Sequence, residues 1–347
     1  MAERNRLENQ VREMRLRRGW SQEDLADRAG LSRSGVSAIE AGRLVPSAAA
    51  ALALAEVMEC RVEDLFQLGG RGPGTPEWAW PPARLPWRYW LAEVGGRVWR
   101  YPVEAGPMGV QAHDGVFPDG PPGQTGTDPR RTLVMACCDP AAGLSADGLA
   151  RLDVRLIVLP RSSGAALELL RSGKVHVAGL HLSSLGNDAV VRERLGPNHA
   201  LLTVARWEEG LALAPSLGAR SVREVLRSQH RWVGREEGSG ARQCLDELLQ
   251  GRKPPRRIAR DHRGVAEAVR CGWADVGVCL RLSGEEAGLD FLSVRQERYD
   301  LCFAKSAADD VRVKALVSLV RSTSYRDLLA ALPGYDASAA GELRPVD

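Results

Sequence analysis

Two short runs of glycine and serine carry the side chains best suited to hold a small anion. Ser162-Ser163-Gly164 and Gly238-Ser239-Gly240-Ala241-Arg242 each follow a β-prone stretch and open a helix-prone one. A strand that turns into a helix this way aims the free N–H groups of the helix start at whatever lies above the sheet edge. Small residues let the backbone approach closely, hydroxyls add donors, and Arg242 adds formal charge. The same composition suits an ordinary turn with a capping serine, so each loop alone has two readings. Two loops in matching positions favour the ligand. Asp139 and His181 stand at the carboxyl ends of candidate strands, the edge at which open α/β sheets bind ligands. Asp139-Pro140 is equally a helix-initiating pair, and a lone histidine is often structural. Glu236 and Glu237 would repel an anion, so either they face outward or the ligand is not a simple anion.

The cysteines carry less. Cys60, Cys137, Cys138, Cys244, Cys271, Cys279 and Cys302 form no CxxC pair, and their odd number leaves at least one unpaired within the chain. They read as reduced thiols. Cys137 and Cys138 would point to opposite faces of a strand, so both read as packing residues and no metal-ligand set is expected. There is no P-loop, HExxH or GxSxG, and no nucleophile with a paired base. The expectation is a protein that is not an enzyme and carries no cofactor.

The elements that position these residues fall into blocks. Residues 1–68 form a run of short helices. Leu7, Val11, Met14 and Leu16 make one apolar stripe, which Arg18-Gly19 closes, and Ser21 to Asp24 opens a second helix that Gly30 stops. Ser32 opens a third with Val36 and Ile39 inward, Pro46-Ser47 a fourth, and Val62 to Phe66 a fifth. Residues 69–131 read as a Pro/Gly/Trp-rich linker with a β-hairpin about Gly95-Gly96, holding five of the nine tryptophans between Trp78 and Trp99. Residues 132–335 alternate strands and helices, the pattern of parallel sheets covered on both faces. Strands are expected at Thr132–Cys137, Val154–Pro160, Val175–Leu180, Leu201–Ala205, Leu211–Ala214, Arg231–Val233, about Ile258, Val276–Cys279, Phe291–Val294 and Leu301–Ala304, and helices starting near Ala142, Gly164, Ala189, Val222, Gly240, Gly264 and Asp309. Residues 336–347 read as a C-terminal tail.

Composition bounds the class. A chain of 347 residues, 44% hydrophobic and 26% charged, is ordinary globular material, which excludes wholesale disorder, collagen and a disulfide miniprotein. No apolar run reaches about 18 residues, and Met1 to Arg18 is densely charged, so no membrane span or secretory signal is expected and the cytoplasm is the expected location. A net charge of +3 is too small to draw nucleic acid by bulk attraction.

The segment from Arg15 to Phe66, RLRRGWSQEDLADRAGLSRSGVSAIEAGRLVPSAAAALALAEVMECRVEDLF, resembles the phage-repressor or Xre type of helix-turn-helix over its whole length. SQEDLA at the second helix, the AGLS turn, the third helix ending in IEAGR, the following Pro-Ser and the closing VEDLF carry the likeness. The resemblance implies a third helix whose amino end enters the DNA major groove. Arg33 and Ser34 would lead, with Arg33 forking onto guanine O6 and N7 and with Ser37 and Ala38 reaching neighbouring pairs. Gln22 and Arg43 would bind phosphates. The plain alternative for Arg33 is a solvated surface arginine. Arg15 and Glu40 would pair inside the domain. Residues 1–66 hold ten arginines and eleven acids, a departure from the usual basic footprint, so binding would rest on local arginine clusters and a homodimer.

Residues from Thr132 to about Leu332 resemble the type II periplasmic-binding-protein fold, in the version fused to helix-turn-helix domains and related to molybdate-binding proteins. ACCDPA, LPRSSGAALELLRSGKVHVAGLHL, RWEEGLALAP and EEGSGARQCLDELL carry that likeness. It implies two lobes joined by crossing strands near Leu201–Arg206 and Tyr299–Ala304. A ligand would lie between the lobes, against Asp139, Ser162, Ser163, Gly164, His181, Arg206, Gly238, Ser239, Gly240, Ala241 and Arg242. The expected fold is multidomain, an all-α five-helix helix-turn-helix domain followed by a two-lobed α/β domain. The expected function is a ligand-responsive transcriptional regulator that binds double-stranded operator DNA and senses a small-molecule effector; the resemblance implies molybdate, tungstate or a similar oxyanion, and a small organic anion or a pterin-like molecule fits nearly as well. The alternatives are a small-molecule-binding protein without regulatory DNA binding and an enzyme on the same two-lobed fold.

Overall fold

The computed structural model describes residues 7–68, 76–104, 112–118, 127–182 and 186–346. The chain forms two compact units, residues 1–77 and 78–347.

Among the described residues, the first unit is five helices closed by one strand pair. Helices α1 (Val11–Arg17), α2 (Gln22–Ala29), α3 (Arg33–Glu40), α4 (Ala48–Val57) and α5 (Val62–Leu65) lie between β1 (Leu7–Asn9) and β2 (Phe66–Leu68), which pair antiparallel. Local chemistry sets the boundaries. Ser21 and Asp24 form a reciprocal cap on α2, and Gly30 ends it in the left-handed conformation at φ 64°. Ser32 and Ser47 cap α3 and α4 by accepting the Gly35 and Ala50 N–H groups. Val11, Leu25, Val36, Leu54, Met58 and Leu65 are fully buried together, and each contributes about 1.5–3 kcal/mol through the area it removes from water. The first helix starts later than the apolar stripe suggested. Leu7 lies in β1 because the Asn9 side chain bonds both Ile39 O and Val11 N, fixing a turn before the helix.

The second unit begins with a small sheet of β3 (Glu77–Trp78), β4 (Trp87–Val94), β5 (Arg97–Pro102) and β6 (Gly115–Phe117), in the order β3-β5-β4-β6. Gly95 and Gly96, at φ 60° and 76°, make the hairpin turn between β4 and β5. This tryptophan-rich segment is docked rather than free. Trp90, Trp99 and Tyr101 share a core with Val134, Ile157, Leu159 and Leu167. Asp114 receives a two-pronged bond from Arg155 at 2.6 and 2.7 Å, and Tyr101 donates its O–H to Lys174 O.

The main sheet follows. Its first half holds β7 (Thr132–Cys137), α6 (Ala142–Ala150), β8 (Arg155–Pro160), α7 (Ser163–Arg171), β9 (Val177–Leu180) and α8 (Asn187–Leu195). Strand β10 (His199–Leu213) crosses to the second half, which holds α9 (Val222–Arg227), β11 (Trp232–Arg235), α10 (Gly240–Leu249), β12 (Arg257–Ala259), α11 (His262–Arg270), β13 (Val276–Leu280) and α12 (Arg281–Glu286). Strand β14 (Asp290–Ala304) returns to α13 (Val311–Arg321), α14 (Thr323–Ala330), β15 (Tyr335–Asp336) and β16 (Leu343–Pro345). The strand order is β12-β11-β13-β10-β14-β9-β7-β8. Strands β7 to β9 are mutually parallel, as are β11 to β13, and the antiparallel pair β10–β14 is common to both halves.

Three expectations need correction. Leu201–Ala205 with Leu211–Ala214, and Phe291–Val294 with Leu301–Ala304, are not four short strands but two of fifteen residues each. Their polar middles, Arg206 to Glu209 and Arg295 to Arg298, read as breaks in sequence, yet they stay in the ladder where the strands pass between the halves. Helices α12 and α14 were not anticipated. Residues 336–346 are no loose tail, because β16 pairs with β10, Val346 is buried, and Arg344 bonds both Asp188 and the buried Asp300.

His176 ties the hairpin to the main sheet. Its Nδ1 accepts from Val134 N and its Nε2 donates to Glu93 O, both at 2.9 Å. Burial, with help from the Arg312 charge, depresses it from 6.5 to about 4. The unfolded chain therefore binds a proton that the folded chain refuses. Stability from this group is intact above pH 6.5 and drains as pH falls toward about 4, by roughly 2 kcal/mol between about pH 7 and pH 5. Thermal melts across that interval should show a smaller loss in His176→Gln than in the parent chain. Equal losses would mean that His176 is not buried neutral.

Candidate functional site

In the first unit, α3 buries Val36 and Ile39 and turns its other face to solvent. Arg33 and Ser34, at its leading end, are exposed, and Ser37 and Ala38 are half-buried one turn on. Arg33 lies 3.4 Å from Glu23 of α2, with both side chains more than 60% exposed. Such a pair is worth about 0–1 kcal/mol and is readily exchanged for another partner. Arg43 is exposed just beyond α3. Gln22 is more committed, since its amide donates to Glu40 at 2.8 Å, which leaves backbone N–H groups as the free donors at that helix start. Glu40 also receives Arg15 through two bonds of 2.6 and 3.1 Å. Burial pushes the Glu40 carboxyl up, and Arg15 and Gln22 outweigh that and hold it below the usual carboxylate value.

In the second unit the two halves meet through the loops singled out in sequence. Gly164 N, at the start of α7, donates to Gly238 O, before α10, at 3.1 Å. Gly238 sits at φ 83°, a conformation that favours glycine. Ser163 is fully buried, and its hydroxyl accepts from His181 N. Ser162 is buried at the cap of α7 with no side-chain bond to that helix. Ser239 is buried, caps α10 by accepting from Arg242 N, and donates to Glu236 O. Gly240 packs directly on His181.

His181 is the hub. Its Nδ1 lies 2.8 Å from a Glu297 oxygen and its Nε2 lies 3.1 Å from Cys138 Sγ. Trp207 stands edge-on to the imidazole and stacks on Tyr299 at 4.4 Å. His262, from the other half, lies 5.4 Å from His181, ring to ring. The acids of the crossing strands are compensated. Arg295 donates to Glu209 at 3.1 Å and forms an ion pair with Glu297 at 2.5 Å. Burial and the charge of Glu297 raise Glu209, against the pull of His181 and Arg295. Burial pushes His181 toward neutrality, but contacts with Cys138 and Glu297 prevail and hold it well above its ordinary value. Burial also lifts Asp139 to about 6, although the Tyr335 hydroxyl and the Ala141 N–H both donate to it.

Ser163, Gly164, His181, Gly238, Ser239 and Gly240 thus come together, with Ser162 and Asp139 close behind. Three candidates do not join them. Arg206 is exposed opposite Asp336, because Trp207 takes the inward position of the alternating strand. Arg242 turns along its own helix to Asp246 at 2.8 Å, and Ala241 packs into the core with Leu211 and Cys244. Glu237 is exposed and Glu236 pairs with Arg235. The residues missed in sequence are Cys138, Arg235, His262, Glu297 and Tyr335. Arg235 is 1% exposed, and among the described residues one of its guanidinium nitrogens has no hydrogen-bond partner; the same holds for both ring nitrogens of His262 and for the Trp207 indole nitrogen. The strand-end rule would have reached Arg235, which closes β11, and His262, which follows β12. Glu297 lay in a stretch that read as a break.

Residues 146–321 match the family described as PBP superfamily domain, and residues 11–65 match the one described as helix-turn-helix. The chain is 28% identical over 185 residues to the uncharacterized protein YvgK of Bacillus subtilis (strain 168), a match spanning 49% of this chain and 59% of that protein. It is 42% identical over 62 residues to the uncharacterized HTH-type transcriptional regulator YgzD of the same organism, across 18% of this chain and 94% of that protein. Among solved structures it is similar to PhnD1 from Prochlorococcus marinus (MIT 9301) in complex with methylphosphonate, with TM-score 0.44, 15% identity, and coverage of 62% of this chain and 93% of that chain.

A Cβ at Gly240 would lie 2.2 Å from His181 O and 2.4 Å from its Nδ1. Alanine in place of glycine in a helix normally gains up to about 1 kcal/mol. Gly240→Ala should instead lower the melting temperature, because the halves cannot keep this contact. A higher melting temperature would contradict the closed arrangement.

Proposed function

The chain belongs to the PBP superfamily domain family, and from that premise we propose that it is a ligand-responsive transcriptional regulator. It joins a helix-turn-helix DNA-binding domain to a domain of the small-molecule-binding type. The observation that carries the reading is the amino end of α3, where Arg33 and Ser34 face solvent while Val36 and Ile39 anchor the helix from behind. A helix held by one face and capped by Ser32 offers its leading side chains to base edges at little cost in side-chain order. Arg33 reads a guanine, a contact worth about 1–3 kcal/mol of discrimination, with Ser34, Ser37 and Ala38 beside it. Arg43 and the N–H groups at Gln22 hold phosphates. The near-neutral charge of this unit favours a homodimer on a two-part site, since one copy makes few phosphate contacts.

The effector lies between the halves of the second unit, and a small oxyanion of the molybdate type is the reading we adopt. What supports it is the set of buried donors there, the Arg235 guanidinium and the Trp207 indole N–H, beside the facing starts of α7 and α10. The acids nearby are taken up by Arg295 and His181.

Two measurements check this. Binding to DNA from the chain's own upstream region, followed over a series of salt concentrations, should show a specific component that outlasts the electrostatic one. Arg33→Ala should relax base preference at one position per half-site; an equal loss on every sequence would remove Arg33 from the groove. Calorimetric titration with molybdate should show binding that Arg235→Gln weakens by about tenfold or more, the worth of one charged hydrogen bond. No heat with molybdate, tungstate or phosphate would contradict the oxyanion.

A further inference from the structure

The geometry points to a metal site where the two halves of the second unit meet, made of Cys138 Sγ, His181 Nε2 and a ring nitrogen of His262, and suited to one thiophilic cation of the Cu⁺ or Zn²⁺ class. This goes beyond the effector reading, because it needs neither an oxyanion nor an operator.

Three chain segments converge on it. Cys138 follows β7, His181 follows β9 and His262 opens α11, and all three are buried. One ligand atom from each lies within 4.8 Å of the other two, and the sulfur and the His181 nitrogen are already 3.1 Å apart. Thiolate sulfur binds Zn²⁺ at about 2.3 Å and imidazole nitrogen at about 2.0–2.1 Å, so the widest pair must close by roughly an ångström, within reach of side-chain torsions.

The surroundings are those of a ligating histidine. Nδ1 of His181 donates to Glu297 at 2.8 Å, which fixes the ring and turns Nε2 to the sulfur, the carboxylate–histidine arrangement that orients metal ligands. Glu297 is itself held by Arg295. His262 supplies an independent observation. It is 1% exposed and neither ring nitrogen has a partner among the described residues. Leaving such a group unpaired costs about 1–3 kcal/mol, and a metal bond to one nitrogen removes part of that cost.

The donor set of one sulfur and two nitrogens excludes Mg²⁺ and Ca²⁺, which take oxygen. Arg235 carries positive charge beside this cluster and is paired with Glu236 at 3.1 Å. Thiolate and imidazole donors suit both Cu⁺ and Zn²⁺. His262 comes from the other half of the sheet, so the full ligand set exists only when the halves are together. An ion bound there would hold them so.

The test uses the full chain freed of metal by a chelator. Co²⁺, standing in for Zn²⁺, should bind at one equivalent and give the near-ultraviolet thiolate-to-cobalt charge-transfer absorption. A chromophoric chelator competing for Cu⁺ should report one retained equivalent of that ion. Cys138→Ser should abolish the absorption, while a chain with Cys60→Ser and Cys271→Ser keeps it. His262→Leu should weaken both ions by at least about tenfold and keep or raise the metal-free melting temperature, because it replaces an unpartnered imidazole by an apolar side chain. That variant separates loss of the site from loss of the fold. Failure of both ions to bind, an absorption that survives Cys138→Ser, or rapid alkylation of Cys138 by iodoacetamide at saturating ion, the mark of a free nucleophile, would each overturn the proposal.

Discussion

The second unit depends on pairing Glu297, which is buried in the middle of a fifteen-residue strand. An uncompensated carboxylate there would cost several kcal/mol, and the surrounding residues are those that offset it. Arg295, two residues earlier on the same strand, forms an ion pair with Glu297 and donates to Glu209 on the neighbouring crossing strand. His181 supplies the other partner from the end of β9. Once its Nδ1 is fixed, its Nε2 has one direction open, and Cys138 lies along it. The position of the imidazole then dictates the rest. Gly240 must be glycine to let it in, Trp207 must stand edge-on, and Ser163 holds its backbone. The loops where the halves meet and the ion-pair network are here one object, since His181 belongs to both and the network lies on the strands that join the halves.

The first unit rests on a parallel device. Arg15 and Glu40 are both nearly buried and bound in a two-pronged pair, which Gln22 joins. That pair fixes the start of the unit against the end of α3 and leaves the leading end of α3 to solvent. The groove-entering role proposed for α3 asks for rigidity where the helix is anchored and open side chains at its leading end, and this distribution of contacts provides both.

Much of this was legible in sequence, for reasons that differ by region. Caps such as Ser21, Ser32 and Ser47 act on neighbours three residues away, so their chemistry shows in a short window, and α2 to α4 follow from them. The loops at Ser162 and Gly238 were visible because glycine and serine at a strand-to-helix junction have few other uses. The crossing strands were obscured. Their charged middles look like loops, and only partners about ninety residues away in sequence, Glu209 with Arg295 and His181 with Glu297 farther still, make those charges tolerable inside a sheet. Arg242 misled for the opposite reason. A strong local partner at Asp246, one helical turn on, holds it away from the cleft. Cys138 looked inert as the strand neighbour of Cys137, whereas the strand ends at Cys137 and Cys138 lies beyond it, against His181.

The central claim is that occupancy of the second unit changes how the first binds DNA. Coupling of this kind is a free energy shared by two sites and is reciprocal. The direct measurement is fluorescence anisotropy of a labelled upstream DNA fragment titrated with ligand-free protein, repeated with the low-molecular-mass fraction of a cell extract or with molybdate. The account predicts that the dissociation constant shifts by at least about fivefold, in a chain whose DNA binding Arg33→Ala alters. The same dissociation constant under every condition, or no specific DNA complex at all, would contradict it.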